Sequence, residues 1–386
     1  AASKPAAAET QSKAVARDTS AKTTAPPSAQ ERVVAGHRDL FSHLQPRNQN
    51  LEEDLLLSKV ALGMSGAAQV PPVVWELGIK YASGKITGGS ARTLGMLKML
   101  KEVIADYKTP PQKTLSRDLT GRITAIITFI KDCRPMTASM GNAVRWLKMQ
   151  VAALGQSEMP EAEAKASLVN AIEGYMQDRI LFANSVICTH AVSKIADGDV
   201  VLTYAYSEVV KDSLIAAHKK GISFRVVVVN SRPKNEGRAL LQELLACGLT
   251  CSYVHIRVLS YIMSEVTKVF LGAEAVTANG SVKSRVGTAA VAMVAHEWNI
   301  PVMICCETCK FIDKVLLDSI CQNELGDPKE LGMASEEHAA AGVHTVNLIY
   351  DVMPAEYITM IITEVGMIPA TSVPVILREY RREPTM

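Results

Sequence analysis

Residues 269–307 read VFLGAEAVTANGSVKSRVGTAAVAMVAHEWNIPVMICCE, and this stretch decides the fold. An apolar strand leads into Ala278-Asn279-Gly280, and a polar turn follows. Gly287-Thr288 then opens an Ala- and Val-rich helix, and a second apolar run closes the unit. A helix between two buried runs predicts a strand–loop–helix–strand unit with parallel strands. Its loop then lies at the carboxyl end of a sheet, where open α/β folds place a ligand or partner surface.

The same texture extends outward. From Asp199 on, β-branched runs alternate with helical segments: VVLTYAY (200–206), FRVVVVN (224–230), TCSYVHI (250–256), VFLGAEAVTA (269–278), PVMICCE (301–307) and TVNLIYDV (345–352). Continuous apolar strands separated by helices mean a parallel sheet covered on both faces. Residues 198–386 are therefore expected to form a Rossmann-like, doubly wound α/β domain. The final IPATSVPVILREY alternates apolar residues around Pro374, as a tail that packs on a sheet edge or reaches a partner subunit.

Upstream the pattern is helical. Residues 51–197 predict an all-helical domain, with breaks at Pro71-Pro72, Gly88-Gly89 and Pro110-Pro111 and with Ser90 and Ser116 as caps. It ends in one long helix, Ala162 to Ala196, spanning roughly 50 Å at ~1.5 Å per residue. Residues 1–50 carry Ala, Lys, Ser, Thr, Gln and Pro with no sustained apolar period, and are expected to be a disordered tail.

Composition excludes several classes. A formal charge of +2 is no basic stripe for nucleic acid. No apolar run is long enough for a bilayer, and no apolar signal core opens the chain, so a cytosolic protein is expected. Eight cysteines lie scattered. Cys306 and Cys309 form a C-x-x-C, but no second pair accompanies them, so structural thiols are expected over zinc or redox chemistry. No Walker loop or G-x-G-x-x-G appears, so no nucleotide cofactor is expected. Gly88-Gly89-Ser90, with Arg92 behind, could hold an anion at a helix start, although ordinary capping explains it better. Arg232, after FRVVVVN, is either a phosphate or carboxylate clamp or a structural arginine. With Asn279 and Gly280 it would make an anion site.

The ordered motifs ANGS, RVGTA and NIPV resemble the superfamily of sugar-phosphate isomerases and translation initiation factor 2B. Its isomerases move a proton between adjacent carbons of methylthioribose 1-phosphate or ribose 1,5-bisphosphate with a cysteine and an aspartate. Here the resemblance puts Ala205 at the cysteine's place, Tyr204 at a histidine's and Glu274 at the aspartate's. Ser281 and Ser284 replace acidic and amide residues. An alanine cannot shuttle a proton, so a non-enzyme is implied.

SRDL, CRPMTASMGNA, VVVVNSRP, EGR, CCETCKF, NELGDP, LIYDVMP and EVGMIPATSVPVILRE occur in order from about Val70 to Glu379. They resemble the delta subunits of eukaryotic translation initiation factor 2B. That family is a guanine nucleotide exchange factor for initiation factor 2, with alpha, beta, gamma and epsilon as delta's partners and beta its nearest. The resemblance implies a non-catalytic regulatory subunit in the cytosol, with no cofactor, that docks the alpha subunit of initiation factor 2 and mediates inhibition by its phosphorylated form. The docking residues it implies are Arg117 in SRDL, with Asp178 and Phe182 where the family has Glu and Leu. Asp178 and Phe182, four apart, share a helix face. The alternative is a sugar-phosphate isomerase with an altered acid–base pair that uses Glu274. A third reading is a binding-only phosphate sensor at Arg232, Asn279 and Gly280.

Overall fold

The computed structural model describes Phe41, His43, Leu44 and residues 71–155, 159–332 and 345–382. The expectation for residues 1–50 lies almost wholly outside these. From Leu44 on, the described residues form one compact unit.

From residue 71 on, the described residues open with α1 (Pro72–Ala82), α2 (Gly89–Asp106), α3 (Leu115–Cys133), α4 (Ala138–Leu154) and α5 (Glu161–Met176). Their apolar residues recur at three- and four-residue spacing, as in Leu119, Ile123, Ile126, Ile127 and Ile130 of α3, and meet in one core. Thr137 caps α4 by accepting from the Met140 amide at 3.3 Å. The two expected serine caps are corrected. Gly88 holds the N-cap of α2 without a side-chain bond, and Ser90 donates instead to Glu307 at 2.8 Å. Ser116 lies inside α3, and its hydroxyl donates to the Val151 carbonyl at 2.8 Å. In both cases a tertiary acceptor outcompetes the local amide.

The long helix is continuous but not uniform. After α5 comes a π-helical turn, Gln177–Phe182, and then α6 (Ala183–Val192). Leu168, Ile172 and Ile180 belong to the helical core. Ile187, Ala191 and Val192 belong to the core on one face of the main sheet. The π-turn is thus the joint between two cores.

The main sheet contains β1 (Val200–Tyr204), β2 (Arg225–Asn230), β3 (Thr250–His255), β4 (Lys268–Gly272), β7 (Val302–Cys305), β10 (Met360–Thr363) and β11 (Gly366–Ile368). Their order is β11-β10-β7-β4-β1-β2-β3, all parallel except the antiparallel β10–β11 pair. The connecting helices include α7 (Glu208–Lys219), α8 (Glu236–Ala246), the short α9 (Leu259–Ile262) and α10 (Thr288–Glu297). Alternation divides the strands between two cores. Leu202, Val227, Val229, Val269 and Leu271 face α10, and Val201, Val226, Val228 and Phe270 face α6 to α8.

Two expectations change here. VFLGAEAVTA is two strands, β4 and β5 (Ala275–Thr277), broken at Ala273-Glu274. With β6 (Val282–Arg285), β8 (Phe311–Ile312) and β9 (Tyr350–Met353), β5 makes a second sheet ordered β8-β5-β6-β9, so TVNLIYDV contributes to that sheet and not to the main one. The final segment is helical. Ala370–Ser372 makes a 3-10 turn and α11 (Val373–Arg382) follows, with Ala370 and Val373 buried in the sheet core. Pro374 at the second helical position needs no amide partner there.

Candidate functional site

In the strand order 3-2-1-4-5-6 of a doubly wound sheet, the switch point falls between β1 and β4, and a crevice opens at their carboxyl ends. A cavity of about 590 Å³ lies there. Its sheet side includes Tyr204, Ala205, Gly272, Glu274, Arg285 and Lys310, and its helical side includes Gly88, Gly89, Ser90 and Arg134.

Three of its cations have carboxylate partners. Arg134 Nε lies 2.5 Å from Glu324, Arg285 Nε 2.8 Å from Glu236 and Lys310 Nζ 2.6 Å from Glu307. Glu307 is only 1% exposed. Burial pushes its carboxyl up, but the Lys310 charge and hydrogen bond more than offset this and hold it below its ordinary value. Burial likewise opposes the Lys310 charge, and Glu307 reverses the outcome, so both stay ionised. Behind them Arg92 is fully buried, with Nη2 donating to the Pro135 carbonyl and the guanidinium 5.3 Å from the Tyr81 ring. Burial first, and then Arg134, depress its pKa.

Of the isomerase-derived positions, Tyr204, Ala205, Glu274 and Ser284 line this cavity, and Ser281 does not. Ala205 follows β1 with φ +59°, a conformation uncommon for a residue with a β-carbon. Tyr204 donates to the Val286 carbonyl at 2.6 Å. Glu274 follows Gly272-Ala273; its Oε1 accepts from the Ala138 amide at 3.0 Å, and its Oε2 lies 3.7 Å from Lys283. Ser284 donates to the Gly272 carbonyl at 2.8 Å, and Ser281 is buried. The Gly-rich loop joins the wall with its Ser90 engaged by Glu307. Asp351 accepts from the Gly287 and Ala289 amides at 2.7 and 2.9 Å, and so caps α10. Burial pushes its carboxyl up to about 6 against those two bonds.

The other residues lie elsewhere. Arg232 is exposed on the loop after β2. Asn279 and Gly280 form the β5–β6 hairpin turn, where Gly280 has φ +79° and Asn279 bonds Ser281 and the Leu316 carbonyl at 3.1 and 3.2 Å. The structure does not bring Arg232 to that turn. Arg117 is exposed on α3 and lines a groove of about 1030 Å³ between α2 and α3. Its neighbour Asp118 is bonded by Lys113 at 2.6 Å and by Tyr107, whose hydroxyl is pushed up to about 12 by burial and by that bond. Asp178 and Phe182 are exposed together on the π-turn, Phe182 at 61%. No ion pair or hydrogen bond joins Arg117 to Asp178 among the described residues.

Sequence reading missed Glu307, Lys310, Arg134 and Glu324. Glu307 had a legible signal, a carboxylate directly after a buried strand with a lysine three residues on. The pairing of Arg134 with Glu324 spans 190 residues and had none. The C-x-x-C lies beside this site: burial raises both the Cys306 and Cys309 thiols, which favours their protonated state.

A model of the initiation factor 2 subunit family matches residues 85–370. The chain belongs to that family. Within it, the chain is 41% identical over 355 residues to translation initiation factor eIF2B subunit delta of Schizosaccharomyces pombe, covering 89% of this chain and 73% of that protein. It is 39% identical over 362 residues to the subunit delta of Dictyostelium discoideum, covering 89% and 56%. A chain in the crystal structure of the tetrameric eIF2B-beta2-delta2 complex from C. thermophilum superposes with a TM-score of 0.74 at 31% identity, covering 84% of this chain and 97% of that one. The chain is also similar to the ribose 1,5-bisphosphate isomerase of Pyrococcus furiosus, at 28% identity over 313 residues, covering 81% of this chain and 95% of that protein. No described helix is long and apolar enough to cross a membrane.

Proposed function

We propose that this chain is a non-catalytic, regulatory delta subunit of the cytosolic guanine nucleotide exchange factor for initiation factor 2. In this reading it pairs most closely with beta and assembles with alpha, gamma and epsilon. It docks the alpha subunit of initiation factor 2 through Arg117, Asp178 and Phe182, and turns exchange down when that subunit is phosphorylated. The 41% identity to a delta subunit over 355 residues carries the reading. The cavity supports it. A methyl group stands at Ala205, and the one carboxylate at the aspartate's place is spent on the Ala138 amide. Exposed charge beside an exposed aromatic, as on the π-turn, suits docking of a folded partner.

Recovery of the tagged chain from its own cells tests this. Co-recovery with four other subunits and initiation factor 2 is the expected result. A lone homodimer that turns over ribose 1,5-bisphosphate, with turnover lost in Glu274→Gln, would replace it with the isomerase reading that the 28% identity to an isomerase favours.

A further inference from the structure

The helical core and the two cores of the main sheet are separate apolar clusters. Polar bonds around the cavity join the layers instead. Ser90 reaches Glu307, Arg134 reaches Glu324, and the Ala138 amide reaches Glu274 at 3.0 Å. Asn142 on α4 donates to the carbonyls of Cys309 and Phe311 at 2.9 and 2.8 Å. The chain itself makes the other connection, through the π-turn. Such turns interrupt the regular hydrogen-bond ladder and are sites where helices bend. Opening the seam breaks these polar bonds.

We propose that the helical layer pivots on Gln177–Phe182 and is latched across the cavity, with Glu274 as a latch. The methylene that separates Glu274 from an aspartate is what carries its carboxylate to the first amide of α4. Because Asp178 and Phe182 lie on the pivot itself, a partner bound there registers directly on the angle between the layers. This coupling rests on the docking reading above. Pivot and latch do not.

Hydrogen exchange on the full chain in its subunit complex tests the device in two arms. Glu274→Asp draws the carboxylate back by about 1.5 Å, beyond hydrogen-bond reach of Ala138. Glu274→Gln keeps the length and the acceptor and serves as the folded control. With the latch released, amides 139–143 and 177–184 should exchange together at least about tenfold faster in Glu274→Asp, and near the wild-type rate in Glu274→Gln. No change in either segment, or faster exchange in 139–143 alone, overturns the device. In the second arm the alpha subunit of initiation factor 2 is added to the wild-type complex. Protection of both segments is the expected result, and protection confined to 177–184 overturns the coupling. If the factor does not bind, the docking reading fails, while the first arm still decides pivot and latch.

Discussion

The cavity and the π-turn use similar side chains in opposite ways. At the cavity the buried Glu307 and the half-buried Glu324 and Glu274 are held by Lys310, Arg134 and a helix amide, so their charge is engaged inside the fold. On the π-turn Asp178 and Phe182 stand in solvent, and Asp178 makes no ion pair among the described residues. A charge already neutralised by its own chain has little left for a ligand. A charge in solvent costs the fold little and stays available to a partner. On the reading proposed above, the crevice at the switch point serves as part of the scaffold, and the exposed helical surface is the docking side.

Breaking a buried pair gives the largest effect. Lys310→Met strands the Glu307 carboxylate in a site closed to water, and should cost about 3–5 kcal/mol in urea unfolding. Adding Glu307→Gln to the same chain should recover much of that loss. A single variant within about 1 kcal/mol of wild type would mean that Glu307 finds water, and the contrast with the π-turn would collapse.

Next comes Asp351, whose carboxyl burial pushes up to about 6 in the folded chain. A raised carboxyl pKa favours the protonated form on folding. Its contribution is therefore full below the unfolded value near 4 and is lost as pH rises through about 6. A rise from about 4 to about 6 corresponds to about 3 kcal/mol. Asp351→Asn, which keeps an acceptor for the Gly287 and Ala289 amides, should flatten the pH dependence of unfolding between about pH 4 and 6. An unchanged slope would assign that dependence to other groups.

The sequence carried most of the main sheet because β1, β2, β4 and β7 are dense apolar runs that can only be buried. It did not carry the second sheet, whose strands are two to four residues long and pair across up to about seventy positions, as Val282 does with Met353. The π-turn was hidden for a different reason. Apolar spacing summed over 162–196 fits a 3.6-residue period well enough to mask one wide turn. At the site, Ala205 and Glu274 were legible because they sit at strand ends that a motif can mark. Their neighbours Arg134 and Glu324 become a pair only when the chain folds, and short-range spacing holds no trace of them.

Gly280 sharpens the same distinction at moderate cost. Its φ is +79°, and an added β-carbon would stand 2.6 Å from the Ala370 carbonyl oxygen. Gly280→Ala should destabilise by about 2 kcal/mol, from strain and from displacement of the turn that precedes α11. Asn279 and Gly280 would then count as hairpin residues. If isothermal titration of the same variant also showed loss of a phosphate affinity present in wild type, the turn would have to be counted as a ligand site as well.

The smallest expected effect on stability falls on the proposed docking residues. Arg117→Glu and Phe182→Ala alter exposed side chains, and unfolding should stay within about 0.5 kcal/mol of wild type. Affinity for the alpha subunit of initiation factor 2 should fall about tenfold or more in each, about 1.4 kcal/mol. The two variants separate by salt. Arg117→Glu removes a charge whose attraction is screened as ionic strength rises, so its defect should shrink at about 0.5 M salt. Phe182→Ala removes apolar burial, which salt does not screen, and its defect should stay the same throughout. A Phe182→Ala defect that vanished in salt, or a loss of stability in either chain, would place these residues with the cavity charges, as parts of the scaffold.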